Sequence, residues 1–354
     1  MGNRRWGHRA ATPRPALTNL SGQVYVRRVP VPLPPGGTGT PVLVTSRSFS
    51  SGDLDLRAEL EAAGCEVRSG PPDHDLAHLA PLLADTVCWV AGTGPVTAAH
   101  LDAAPHLRLV ARYGVGVDAV DLAAAWERDV LVTNTPGANT EAVADLALAL
   151  TLAALRDVVA GDRGVRAGTP KVTRGRELGS LTVGVVGFGR IGRGVARRLS
   201  GFGSRVLAYD PYVAPGSVGD VELLDLPDLV AQSDVVTLHA PGEEVLVDEA
   251  LLGRFRPGAV LVNTARAALV DEAAVAAALR EGRLARYAAD VLDADGPDTP
   301  LLADDLVALT TFTSHAGAHT VGAVDGMGRG AVDAVLDVLA GRTPAHLVTP
   351  KGSS

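Results

Sequence analysis

The chain has 354 residues, a net charge of −8, 47% hydrophobic and 20% charged residues. That is enough to bury a large core, and it predicts a folded globular protein of two domains. The acidic balance excludes nucleic acid as the main partner. Two cysteines, Cys65 and Cys88, exclude a disulfide framework or a cysteine metal cluster and fit a reducing, cytoplasmic setting.

Residues 1–40 hold six Arg, six Pro and no acidic residue, which reads as a disordered basic extension. From Pro41, apolar runs at Val42–Thr45, Thr86–Val90, Leu107–Ala111 and Val130–Thr133 alternate with amphipathic stretches such as Asp53–Ala63 and Thr97–Ala104. This βα alternation predicts a parallel sheet covered by helices on both faces. The apolar stretch Ala142–Leu155 is too short to cross a bilayer and is interrupted by Asp145, so no membrane association is expected.

A second series starts at Leu181, with strands expected at Thr182–Val186, Arg205–Tyr209, Val235–His239, Ala259–Asn263, Tyr287–Val291 and Leu306–Thr310. Its first turn reads Gly187-Phe-Gly189-Arg190-Ile191-Gly192, and the second strand ends on Asp210. Gly187 permits a tight turn, Gly189 admits a pyrophosphate to the backbone, and Gly192 lets the helix pack on the strand. The helix N-terminus favours the phosphates, and Asp210 stands where a carboxylate binds ribose hydroxyls. A carboxylate there repels a 2′-phosphate, so NAD is expected over NADP. Six strands after this fingerprint complete a Rossmann domain. A last helical stretch, Val321–Leu339, has no sheet of its own and is expected to return to the first domain. The expected fold class is therefore α/β with two doubly wound parallel-sheet domains. A Rossmann NAD-binding domain (142–315) is inserted into a discontinuous substrate domain (41–141 and 316–350).

Ligands in such sheets bind beyond the carboxyl ends of the strands. There stand His239-Ala240-Pro241, Thr264-Ala265-Arg266, Asp290 to Asp295, and Ser314-His315. An Arg can clamp a carboxylate, a His can carry a hydroxyl proton near neutral pH, and a carboxylate behind it can favour its charged form. His239 is expected to pack near the cofactor. His315 and His319 have the spacing of a helical metal pair, but Gly317 weakens the helix and no third ligand is evident, so no metal is expected.

These motifs resemble the D-isomer-specific 2-hydroxyacid dehydrogenases from about Pro41 to Val348. The resemblance is carried by Tyr113-Gly-Val-Gly-Val-Asp118, Asn134-Thr-Pro-Gly-Ala-Asn139, the fingerprint with Asp210, Asn263 to Asp271, Ala289-Asp-Val291, and Ser314 to Thr320. It implies hydride transfer between NAD(H) and a small 2-hydroxy or 2-keto acid of D configuration. Arg266 would bind the substrate carboxylate and keto oxygen, His315 would be the acid/base, and Asp295 its carboxylate partner. The backbone of Val115 and Gly116 would hold the carboxylate. It also implies cofactor contacts from the glycine loop, Asp210, 239–241, Thr264, Ala265, Asp290 and Gly317, and a homodimer. The chain departs from the family in Asp295 (usually Glu), Ala267 (usually Gly) and Ser314 (usually Pro). Ala91-Gly92 stands where phosphoglycerate-oxidising members often carry Arg-Ser, which removes a cation suited to a phosphate or second carboxylate. Together with the expectation of no regulatory domain after Val348, this argues against a serine-pathway phosphoglycerate dehydrogenase. Two alternatives are a cofactor-sensing, corepressor-like binding protein and a member acting on a small anion such as phosphite or a phosphonate.

Overall fold

The structure is a computed structural model and describes residues 39–214, 216–242, 244–292 and 299–350. The expected extension over 1–40 falls almost wholly outside the described residues.

Five strands form the first sheet: β1 (Thr40–Val44), β2 (Cys65–Ser69), β3 (Cys88–Ala91), β4 (Leu109–Arg112) and β5 (Leu131–Thr133). They lie in the order β2-β1-β3-β4-β5, all parallel, the flavodoxin-like arrangement. Strands β1, β3 and β4 are buried along their whole length, as a sheet covered on both faces requires. The covering helices are α1 (Leu56–Ala62), α2 (Leu76–Leu83), α3 (Ala98–Asp102) and α4 (Leu122–Glu127). Asp55, Asp75 and Asp121 cap α1, α2 and α4 by accepting backbone N–H groups, each contributing about 1 kcal/mol.

Two helices follow, α5 (Thr140–Leu155) and α6 (Val158–Arg166). The second series then runs β6 (Thr182–Val186), α7 (Arg190–Phe202), β7 (Arg205–Tyr209), β8 (Gly216–Val218), β9 (Val221–Leu223), α8 (Leu226–Gln232), β10 (Val235–Leu238), α9 (Glu249–Leu252), β11 (Ala259–Asn263), α10 (Glu272–Arg280), β12 (Leu284–Ala289), β13 (Thr310–Phe312) and α11 (Val321–Leu339). The sheet order is β13-β12-β11-β10-β6-β7-β9-β8. Only β8 is antiparallel, paired with β9 at the edge. The architecture is thus two doubly wound parallel-sheet layers, the second of Rossmann type.

The strand expected at Leu306–Thr310 is corrected. Asp304–Leu306 is a 3-10 turn, and the strand begins at Thr310. Leu306 is fully buried from that turn, while Asp305 is drawn outward to pair with Arg280 at 2.7 Å. Strands β2, β8 and β9 were not anticipated. The polar residues Glu66, Arg68 and Ser69 mask β2, a pattern typical of edge strands.

Helix α5 packs with α7, burying Ala144, Ala147, Leu150 and Ala154 against Val183, Val185 and Leu199. Helix α11 returns to the first sheet, placing Met327, Ala331 and Val335 among Val42, Val90 and Leu109. Each fully buried aliphatic side chain contributes roughly 1.5–3 kcal/mol. Among the described residues no helix is long and apolar enough to cross a membrane.

Candidate active site

The carboxyl ends of β6 and β7 form one wall. Gly187 has φ 90°, and a Cβ there would lie 2.6 Å from the backbone of Ala240 and of His239. A Cβ on Gly192 would lie 2.0 Å from the Gly187 carbonyl oxygen, so α7 packs on β6 only through glycine. Gly189 differs, since a Cβ there would meet nothing within 4 Å. Open space over the first turn of a 13-residue helix is what a dinucleotide pyrophosphate needs. Asp210 is turned back to this loop, its two oxygens accepting the N–H groups of Phe188 at 2.8 Å and Tyr212 at 2.9 Å. The residues therefore fit a dinucleotide. Arg190 opens α7 and passes within 3.6 Å of the space beside Gly137, while Ile191 packs on the core beneath.

The next strand ends continue this wall. His239 pairs with Thr237 Oγ1 at 2.9 Å and Thr264 Oγ1 at 3.4 Å. Desolvation holds its imidazole far below the ordinary histidine range, so it is a neutral packing group. Pro241 follows it at the same edge. After β11, Asn263 accepts the N–H of Ala265 (3.0 Å) and donates to the carbonyl of Arg266 (2.8 Å). That clamp fixes the turn presenting Arg266.

Arg266 reaches across to the first sheet. Its Nε and Nη2 donate to Asp118 Oδ2 at 3.0 and 2.9 Å, and its Nη1 donates to the Ala265 carbonyl. A Cβ on Gly116 would lie 2.4 Å from Arg266 Nη2. The loop carrying Gly116 is itself oriented. Asn134 Nδ2 donates to the Val115 carbonyl at 2.7 Å, and the Thr135 N–H donates to that of Gly114 at 3.0 Å. With those carbonyls held, the N–H groups of Val115 and Gly116 bond no protein acceptor among the described residues. Two free amides beside a guanidinium make a carboxylate cradle.

His315 follows β13 on an exposed turn with φ 55°. The turn is held by Asp290, which is 4% exposed. Its Oδ1 accepts the Ala316 N–H at 2.8 Å and the Thr313 hydroxyl, and its Oδ2 accepts the Gly317 N–H at 2.8 Å. The His315 N–H donates to the Asp290 carbonyl at 3.1 Å. These bonds over-determine a left-handed histidine that would otherwise cost about 1–2 kcal/mol. His315 and His319 lie on this turn rather than on one helix face. Asp295 lies outside the described residues.

Three residues were not foreseen in their roles. Asp118 stood in a quoted motif, but its ion pair with Arg266 joins positions far apart in the chain. Asp290, expected beside the cofactor, holds the histidine turn. Arg112 was not singled out. It ends β4, is 8% exposed, and donates through Nη1 to the carbonyls of Ala91 and Tyr113. Burial and the nearby Arg266 lower its pKa to about 10.

Residues 148–317 match the family model described as the D-isomer specific 2-hydroxyacid dehydrogenase, NAD binding domain. The chain is 42% identical over 278 residues to a D-3-phosphoglycerate dehydrogenase of Mycobacterium tuberculosis, covering 76% of this chain and 52% of that protein. It thus spans about half the length of this relative. It is 42% identical to a glyoxylate reductase of Korarchaeum cryptofilum over 241 residues, covering 64% of this chain and 73% of the relative. The crystal structure of a protein from Thermus thermophilus superposes with a TM-score of 0.79 at 36% identity, covering 88% of this chain and all of that one. Together with the glycine loop, the arginine cradle and the histidine turn, these likenesses place the chain in the D-isomer-specific 2-hydroxyacid dehydrogenase family.

Proposed function

We propose that this protein is an NAD-dependent D-2-hydroxyacid dehydrogenase or reductase acting on a small 2-hydroxy or 2-keto acid. The observation that carries this reading is the placement of Arg266, Asp290 and His315 after three neighbouring strands, with Arg266 set against the free amides of Val115 and Gly116. Gly187, Gly189, Arg190, Ile191, Gly192, Asp210, Thr264 and Ala265 would hold the nicotinamide dinucleotide, which when bound donates or accepts the hydride. Arg266 and the two amides bind the substrate carboxylate, and the guanidinium polarises the C2 oxygen. His315 gives that oxygen its proton in reduction and takes it in oxidation. Asp295 would favour the protonated imidazole. Asp118 aims the guanidinium and must share it with the incoming carboxylate. Closure of the 41–141 and 316–350 segments on 142–315 would exclude water.

The negative charge of Asp210 supports NAD over NADP, and NADH compared with NADPH in one assay checks this. Val158, Val165 and Val172 are exposed by 57%, 67% and 99%, which supports a homodimer covering that segment. Light scattering of the purified protein tests it. The buried free thiols support a cytoplasmic setting.

His315→Ala is the test of the chemistry. Turnover of the best 2-keto acid should fall roughly 10²- to 10⁴-fold, the usual contribution of a general acid. Undiminished turnover would remove His315 from the mechanism.

A further inference from the structure

The two free amides of the carboxylate cradle can be no better placed than the residue from which their loop departs. Tyr113 follows β4 and leads into that loop through Gly114, whose φ of 141° turns the chain away from the strand. Tyr113 is 5% exposed. Its hydroxyl lies 3.0 Å from the carbonyl oxygen of Val324, in the first turn of α11, and 3.2 Å from that of Ser48, between β1 and α1. The phenol has one proton to give, so the two carbonyls share it. Neither carbonyl depends on it. That of Ser48 also accepts the Ser51 N–H at 3.2 Å and the Ser51 hydroxyl at 2.8 Å, and that of Val324 lies within a helix whose own bonding serves it. The two segments are also fastened to each other without Tyr113. Asp325 of α11 accepts the N–H groups of Asp53 at 3.0 Å and Leu54 at 3.2 Å, and Arg329 pairs with Glu59 at 2.6 Å. What the hydroxyl holds in place is therefore the end of β4 and the loop that leaves it. The ring is packed separately, edge-on to Phe49 with centroids 6.2 Å apart, and a Cβ on Gly328 would lie 3.7 Å from it.

We propose that Tyr113 is a positioning residue for the substrate carboxylate: by tying the end of β4 to α11 and to the β1–α1 segment, its hydroxyl sets where the Val115 and Gly116 amides stand against Arg266. This rests on the dehydrogenase reading. Asn134 holds the same loop from its other side, through the Val115 carbonyl at 2.7 Å, so two anchors act on one short segment. A Tyr113 that only packed α11 on the sheet would bear on stability and leave substrate binding alone.

The test is steady-state kinetics with NADH and the best of glyoxylate, pyruvate and hydroxypyruvate, beside thermal melts and NADH fluorescence titrations. Tyr113→Phe keeps the ring, so its melting temperature should stay within a few degrees of the wild type and its NADH affinity should not change. Its KM for the keto acid should rise about tenfold while kcat stays within about twofold. Asn134→Ala should raise KM by a similar factor. The double variant should then stay within about threefold of the worse single variant, where independent sites would multiply to roughly 100-fold. An unchanged KM in Tyr113→Phe would overturn the proposal, as would a loss carried by kcat instead. Multiplied losses in the double variant would do the same. Absence of wild-type turnover with all three acids and either cofactor would overturn the dehydrogenase reading itself, and this inference with it.

Discussion

The wall proposed to hold the cofactor and the wall proposed to hold the substrate are built over different distances along the chain. The first is almost contained in one strand–turn–helix–strand stretch from Gly187 to Asp210. Gly192 packs on the Gly187 carbonyl, Gly187 on His239 and Ala240 just after β10, and Asp210 holds the Phe188 N–H of the same loop. The second is assembled from the ends of β1, β3, β4 and β5, and it is completed by Arg266 of the other sheet. The first wall is specified by residues that must be small, the second by charged and polar groups that must meet. Damage to the two should therefore look different, by loss of space in one and by loss of aim in the other.

The largest expected effects are in the cofactor wall. Gly192→Ala sets a methyl 2.0 Å from a backbone oxygen that cannot swing aside, an overpacking cost of about 3 kcal/mol or more. Gly189→Ala meets nothing within 4 Å, so it should leave the melting temperature near the wild-type value. Its methyl instead enters the space of the pyrophosphate, and NADH affinity should fall roughly 100-fold. Thermal melts beside NADH fluorescence titrations separate the two. A destabilised Gly189→Ala that still binds NADH would break the assignment of space in this wall.

The same contrast decides what could be read from sequence. The glycine loop, Asp210 and the order of the strand ends were legible because spacing along one segment determines their relations. Arg266 and His315 were legible because they follow apolar runs that must be buried strands. The Arg266–Asp118 pair and the buried Arg112 were not, because each depends on which strands lie side by side across a crossover connection. Strands β2, β8 and β9 were missed because charged or small residues interrupt their apolar pattern, and the strand expected at Leu306–Thr310 was placed too early because its apolar run begins in a turn before β13.

In the substrate wall, loss of aim should show at Asp118. The pair is half exposed, so its removal should change stability by no more than about 1 kcal/mol. Asp118→Ala frees Nε and Nη2 of Arg266 and should lower kcat/KM about tenfold, mostly through KM, if orientation of the guanidinium matters. Asp118→Asn keeps an acceptor in place and should restore part of the loss. Equal kinetics for wild type and Asp118→Ala would show the pair to be incidental.

The smallest effect concerns the floor beneath that wall. Thr45 Oγ1 accepts the indole N–H of Trp89 at 3.0 Å and the Gly92 N–H at 3.1 Å, and lies 2.7 Å from His74 Nε2. Having accepted twice, the hydroxyl has one proton left to give, and it must go to His74 Nε2. The other ring nitrogen, Nδ1, then carries the hydrogen and donates to the Pro95 carbonyl at 3.0 Å. His74 is therefore neutral in the fold, and burial first, then His100 and Arg112, push its pKa below the usual value. The unfolded chain takes up a proton near pH 6.5 that the folded one refuses, so stability falls as pH drops below that value and levels off below the folded pKa. The slope cannot exceed about 1.4 kcal/mol per pH unit for one such group. His239 acts with the same sign and remains as background. His74→Gln should be less stable than wild type at pH 7.5 yet lose less melting temperature between pH 7.5 and 5.5. Parallel melting curves across that range would mean that this histidine does not hold Gly92 and the floor of the substrate wall in the neutral form.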